Sequence, residues 1–568
     1  MLKLGWQEKW TLRYAVVALL FLALAGFEGI MMRSQLISPT SLAGMEAAMA
    51  SLRGGSQSGP AELFYSVITV HPIVGIYGFA YMAVFGAFYF LVPFLLNKPV
   101  RHKRLVPINF WLQIGGVLVC WGAGFFALFN ATYTLYWPLP VAYDRVPLIG
   151  SVIFGLGLAL IEANVLLFVF NVFSTVLSKS NPHPYSFRQF LASAFGIPRL
   201  LKLFGRKPAN GGEVNYNDLP VFVVAVGRGS IDTVINAIVL LAAGVLMLVY
   251  GLPALVQGIM LSPGAVDALI YKNFFWWGLD MIADGNVLMY AAGTWYLLVP
   301  LLVGRKLYGE SVVRTVILAD LLVSMGVWSH HLLADQPQPF GLRLISGQFI
   351  TCGEFFTMGL TMFAILMTIW LARPVKFTPP LKFVLGSVFG FAVGGIAGIT
   401  QANVGLNVVL HNTQWVIGTH GHMMLLGGLA SLLFAVIYAL IPMLTKAEIW
   451  SQKLVSVHLG LWLPGAVIMA DSMGLAGIEG MLRRTLYSGG EYQLHMIVAI
   501  LGGLIMAAGF LVFLVNVIRT LGLKNVLGLV VPEQWLSPRP ALATGIIPAA
   551  RLPKPAAVSV TVIRNTPK

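Results

Sequence analysis

The residues best suited to chemistry are histidines set in apolar sequence. His411 to His422 reads His-Asn-Thr-Gln-Trp-Val-Ile-Gly-Thr-His-Gly-His and runs directly into a long apolar segment. On an α-helix His420 and His422 are separated by about 200° of rotation, so their rings leave opposite faces and one helix can serve two metal centres. Imidazoles inside a membrane span are costly and usually functional, against the plain alternative of packing or pore-lining side chains. His71 lies about ten residues into another apolar run, about 15 Å along a helix, and His422 lies at a matching depth in its own span. Two histidines at one depth on two helices suit ligation of a low-spin haem from both sides, by His71 and His422. His420, on the other face, suits a second haem held from one side only.

A second donor group is spread over two further segments. His330 and His331 end an apolar run, where they are candidate ligands for a non-haem metal. Asp280 and Asp284 follow Phe274-Phe275-Trp276-Trp277 and, four residues apart, share a helix face. Two carboxylates within a membrane helix need a cation, a proton or each other. With His330 and His331 they make a set of two nitrogen and two oxygen donors, which suits iron(II) better than copper(I). The plain alternative is a carboxylate pair facing a wet cavity.

These residues need a scaffold, and composition specifies its class. Of 568 residues, 58 % are hydrophobic and only 10 % charged, with a mean hydropathy of +0.83. A soluble domain carries about 25 % charged residues. Apolar runs expected to span a membrane lie near 14–32, 61–96, 107–136, 147–178, 219–251, 267–303, 311–333, 343–373, 381–400, 410–444, 453–473 and 491–520. The expectation is an all-α, polytopic membrane protein with a twelve-helix domain over 1–520 and a cytoplasmic tail over 521–568. The N-terminal run is read as a retained span, since no convincing cleavage site follows it. Lys98, Arg101, Lys103 and Arg104, then Lys179 to Lys207, Arg305 and Lys306, Arg373 and Lys376, and Lys446 and Lys453 all fall on the side of the N-terminus. The positive-inside rule then places both termini in the cytoplasm of a cell whose inner membrane holds the chain. The net charge of +15 belongs to these loops and implies no nucleic-acid partner. Cys120 and Cys352 are the only cysteines, so the chain has neither a haem-attachment motif nor a two-cysteine copper motif. Any such electron-entry centre lies on another chain.

Together these motifs resemble the catalytic subunit of the haem–copper oxidase superfamily over nearly all twelve spans, most closely its B-type oxygen reductases. His411 to Val416 matches a His-Asn-Thr-x-Trp-Val segment ahead of the haem histidines. His330 to Asp335 matches a His-His-x-x-Ala-Asp segment. Arg483-Arg484 matches an outer-loop pair that binds haem propionates, with His411 nearby. Two departures stand out. Trp415 and His420 are one residue further apart than in that branch, which implies a bulge or shift in the ligand helix. Asp280 and Asp284 occupy the positions where oxygen reductases carry a copper-binding histidine and a tyrosine. The nitric oxide reductases of the superfamily place a glutamate at the second position, and carry another near Glu354.

The resemblance therefore implies a nitric oxide reductase catalytic subunit with two haems, one low-spin and one high-spin, of b type, and a non-haem metal, iron or alternatively copper. Asp280, Asp284 and Glu354 are the expected catalytic carboxylates. Implied partners are a membrane-anchored electron-entry subunit and a cytochrome c, small copper protein or quinol donor. The alternatives are a divergent dioxygen reductase and a non-redox transporter, which would bind no haem.

Overall fold

The computed structural model describes residues 4–53, 59–136, 146–178, 205, 219–257, 266–282, 287–328, 330–333, 338–487 and 489–531. Among these the chain is all-helical, with only an isolated bridge between Thr413 and Leu482. The long helices are α1 (Trp6–Ile37), α3 (Pro60–Leu96), α4 (Leu105–Phe126), α5 (Leu148–Val176) and α6 (Val221–Gln257), with the short α2 (Ala43–Leu52) after α1. Then come α7 (Ala268–Asp280), α8 (Leu288–Val303), α9 (Glu310–Ser324), α10 (Phe340–Leu371), α11 (Pro379–Ala402) and the short α12 (Val404–Leu410). The last four are α13 (Val416–Thr445), α14 (Gln452–Ile478), α15 (Gln493–Leu521) and α16 (Leu523–Val530).

Ten described helices are long and apolar enough to cross a membrane. Of the two remaining expected spans, residues 283–286 of the sixth lie outside the described residues, and the seventh is shorter. The sixth is α7 followed by α8, and the seventh is α9 followed by a tight turn at His330–Leu332. Helix α9 ends before Gly326, whose carbonyl accepts from Ser346 Oγ at 2.5 Å. The expected tail begins as α16, which reaches α1 through Arg13 Nε donating to Leu529 O at 2.9 Å; residues 532–568 lie outside the described residues.

With no hydrophobic drive between helices in lipid, close contact depends on small residues and buried polar pairs. Gly390 of α11 meets the backbone of Gly427 and Gly428 on α13, leaving no room for a Cβ. A polar cluster ties α6, α9 and α10 together. Arg228 Nη1 is 2.7 Å from Asp232 and its Nη2 is 3.2 Å from Asp320 and 2.7 Å from Ser324 Oγ. Thr357 Oγ1 donates to Asp320 at 2.6 Å. All five side chains are buried.

Two spans that carry candidate ligands are wound as π-helix, over Ile73–Tyr81 and Val416–Ala430. The second contains His420 and His422 and begins next to Trp415, where sequence spacing implied an extra residue. A π-helix closes i to i+5 bonds, about 80° per residue, so the two histidines still leave nearly opposite faces.

Candidate haem and metal site

His71, beside Pro72 at the start of the π segment of α3, faces His422 of α13. Their ring centroids are 6.3 Å apart and their planes 21° from parallel. Metal–imidazole bonds of about 2.0–2.1 Å put the ring centres of two trans imidazoles about 6 Å apart. His422 Nδ1 lies against the Ile417 carbonyl. A carbonyl only accepts, so Nδ1 carries the proton and Nε2 keeps the lone pair a metal needs. The gap and the donor atoms fit one haem iron between these rings.

The same bookkeeping applies to His420. Its Nδ1 donates to Gly394 O of α11 at 2.8 Å, leaving Nε2 as the lone-pair nitrogen. Gly398, one turn further along α11, makes room for the ring: a Cβ there would lie 2.7 Å from His420 Cε1. His420 lines an apolar cavity shared with His330, Glu354, Met358, Phe391 and Met424. A one-sided ligand beside an apolar cavity fits a second haem.

The second donor group assembles differently from the sequence expectation. His330 Nδ1 is 2.5 Å from Thr351 Oγ1, whose own proton goes to Gly347 O. Nδ1 is thus the donor and His330 Nε2 keeps its lone pair. His331 Nε2 lies 2.8 Å from Asp280 Oδ1, so the carboxylate takes the ring's N–H and Nδ1 is left as a buried lone-pair nitrogen. Among the described residues the expected two-nitrogen, two-oxygen set is not assembled: Asp280 enters as a hydrogen-bond acceptor of His331, and no three metal-binding side chains converge there. An aspartate is shorter than the histidine it stands in place of, and from the end of α7 it reaches only the His331 ring. Asp284 lies outside the described residues. The described residues offer two imidazole donors, with ring centroids 4.8 Å apart, and do not by themselves fit a complete non-haem metal site.

His411 is engaged at both ring nitrogens. Its Nδ1 pairs with Gln401 Oε1 at 3.2 Å and its Nε2 accepts from Arg483 Nη2 at 3.0 Å, which occupies its lone pair. The bridge at Thr413 and Leu482 sets this contact, with Gln414 N donating to Met481 O and Arg483 N to Asn412 O. Arg484 reaches Asn412 Oδ1 at 3.5 Å and lies over the Tyr136 ring. Glu354 is buried on the cavity wall. Tyr290 and Tyr296 of α8 are buried elsewhere, Tyr296 bonded to Thr361, and among the described residues no tyrosine lines the cavity.

Sequence reading missed Trp276, which stacks on His331 at 4.3 Å, and Thr351, which sets the His330 tautomer. It also missed Gly390, Gly394 and Gly398. Their four-residue spacing was a visible sign that a neighbouring helix and the His420 ring come close along one face of α11.

A helical membrane bundle that mounts paired imidazoles on one helix and faces one of them with a third is the architecture of a haem-based membrane oxidoreductase. Residues 9–505 match the family model described as cytochrome c and quinol oxidase polypeptide I, and the chain belongs to that haem–copper oxidase subunit I family. It is similar to cytochrome c oxidase polypeptide 1 of Halobacterium salinarum, at 24 % identity over 80 % of this chain and 70 % of that protein. A probable quinol oxidase subunit 1 of Staphylococcus haemolyticus is 23 % identical over 90 % of this chain and 70 % of its own length. The fold is shared with a heme-copper terminal oxidase dimer solved by cryo-EM, with TM-score 0.62 and 21 % identity over 87 % of this chain and 84 % of that one. The chain is thus an integral membrane oxidoreductase subunit of a class that carries haems and an active-site metal and works with other subunits.

Proposed function

We propose that this subunit reduces nitric oxide, joining two NO, two electrons and two protons into N2O and water. The observation that carries the reading is the Asp280–His331 contact, taken with the wall of the separate cavity beside His420. Asp280 engages His331 where the oxygen reductases it resembles have a histidine, and no tyrosine lines the cavity among the described residues. A two-electron reduction requires no phenol to supply a further electron and proton.

Haem iron, when bound, supplies one-electron transfer and a site for a diatomic gas. His71 and His422 would hold the low-spin haem, and His420 the high-spin one. His330 Nε2 and His331 Nδ1 would hold the second metal, with Asp284 as the remaining donor by its place in the sequence and iron as the metal that suits a carboxylate-bearing set. Asp280 fixes the His331 ring and its tautomer. Glu354 would hold a proton at the cavity wall. Met358, Phe391 and Met424 keep the pocket apolar, which suits an uncharged gas. Arg483 and Arg484 would bind haem propionates at the outer surface, where guanidinium and carboxylate pair well. Both haems are read as b-type and both termini as cytoplasmic. Electrons would arrive through a second subunit from a cytochrome c, copper protein or quinol.

The second reading is reduction of dioxygen to water, favoured by the relatives, which are named as cytochrome c or quinol oxidases. Parallel assays of NO and O2 consumption by the purified complex, with N2O measured, separate the two.

A further inference from the structure

Glu28 has no part in the site as described, yet it is aimed at it. It lies on α1, only 1 % exposed, with Oε2 3.6 Å from His71 Nδ1. Its other oxygen, Oε1, accepts from Trp121 Nε1 of α4 at 2.9 Å, which fixes the carboxylate's orientation. Among the described residues neither Glu28 Oε2 nor His71 Nδ1 has a hydrogen-bond partner. An acceptor and a donor thus face each other with nothing else to serve. Gly29 brings the α1 backbone to the same ring: a Cβ there would lie 3.7 Å from His71 Cε1.

The two imidazoles of the pair are therefore treated differently. His422 presents Nδ1 to a neutral carbonyl, whereas His71 presents it to a carboxylate. A carboxylate behind a metal-bound imidazole orients the ring and raises its basicity. We propose that Glu28 is a positioning residue that fixes His71 through its Nδ1–H and holds down the reduction potential of the haem carried by His71 and His422. The proposal rests on the reading of these two histidines as haem ligands.

The sign follows from charge. Oxidation adds positive charge at the iron, and a carboxylate one imidazole away stabilises that state with little screening in a buried site. Arg33, on the same helix and also buried, places a positive charge near His422. Neutralising Glu28 removes that negative charge and leaves the Arg33 charge in place, so the potential rises.

The test is an optical redox titration of the full-length, haem-loaded protein, with electron paramagnetic resonance of its oxidised form. Glu28→Gln is expected to move the low-spin haem's reduction equilibrium at least tenfold toward the reduced form, about 59 mV upward for a one-electron couple. The low-spin signal should shift but persist, and the high-spin haem should be unmoved. Glu28→Asp keeps the charge but withdraws it by one methylene, giving a smaller upward shift, and it decides alone if the Gln variant does not assemble. A low-spin equilibrium that stays within twofold of the parent's, or moves downward, overturns the proposal. A parent protein without a bis-imidazole haem signal overturns the ligand reading with it.

Discussion

Gly398→Ala is the smallest change that should separate the two haem sites. The added Cβ would lie 2.7 Å from His420 Cε1 and 2.8 Å from Nδ1, where ordinary contact begins at 3.4 Å. The ring must therefore move about 0.6–0.7 Å away from α11. Among the described residues its one protein hydrogen bond, Nδ1 to Gly394 O at 2.8 Å, is to that same helix and would stretch to about 3.5 Å, beyond useful length. Leaving the buried Nδ1–H unserved costs about 1–3 kcal/mol, and a ligand displaced by nearly 1 Å can cost about 100-fold in rate. The His71–His422 pair is not touched. Reduced-minus-oxidised spectra and carbon monoxide titration of the purified variant should show the low-spin haem retained, with the CO-binding haem lost or its affinity weakened at least tenfold. Full CO binding with unchanged turnover would refute the placement of His420.

His71→Ala or His422→Ala should remove the low-spin signal and leave the CO-binding haem, while His420→Ala should do the reverse; intact spectra in His420→Ala would contradict the ligand assignment. Arg228→Met leaves Asp232 and Asp320 buried without their cation, a class of change that costs about 3–5 kcal/mol, so the detergent-solubilised variant should lose its haem spectrum at a clearly lower temperature. Asp280→Asn removes the anionic acceptor of the His331 N–H and should lower turnover at least tenfold while both haem spectra remain; unchanged turnover would show that this contact is dispensable.

Much of the scaffold was legible because a span declares itself by apolar length and needs no partner to be recognised. Ten of the twelve expected spans stand as long helices. The seventh was legible in place but not in form, since α9 stops before Gly326, whose carbonyl is taken by Ser346 of another segment. Opposite faces for His420 and His422 followed from spacing alone, and the extra residue after Trp415 falls where the helix is wound as π. What spacing could not give was which atom meets which. Asp280 and His331 looked like two ligands, yet one accepts the other's proton. His411 looked like part of the haem surroundings, and only the structure shows its lone pair held by Arg483. Glu28 and Trp121 are 93 residues apart, and no local pattern links either to His71.

The central claim is the substrate, and anaerobic turnover of the purified, haem-loaded complex with NO tests it most directly, with gas-phase N2O measured and O2 consumption assayed on the same preparation. The account predicts one N2O for every two NO consumed, with little O2 reduction. Rapid reduction of O2 to water with no N2O from NO would contradict it.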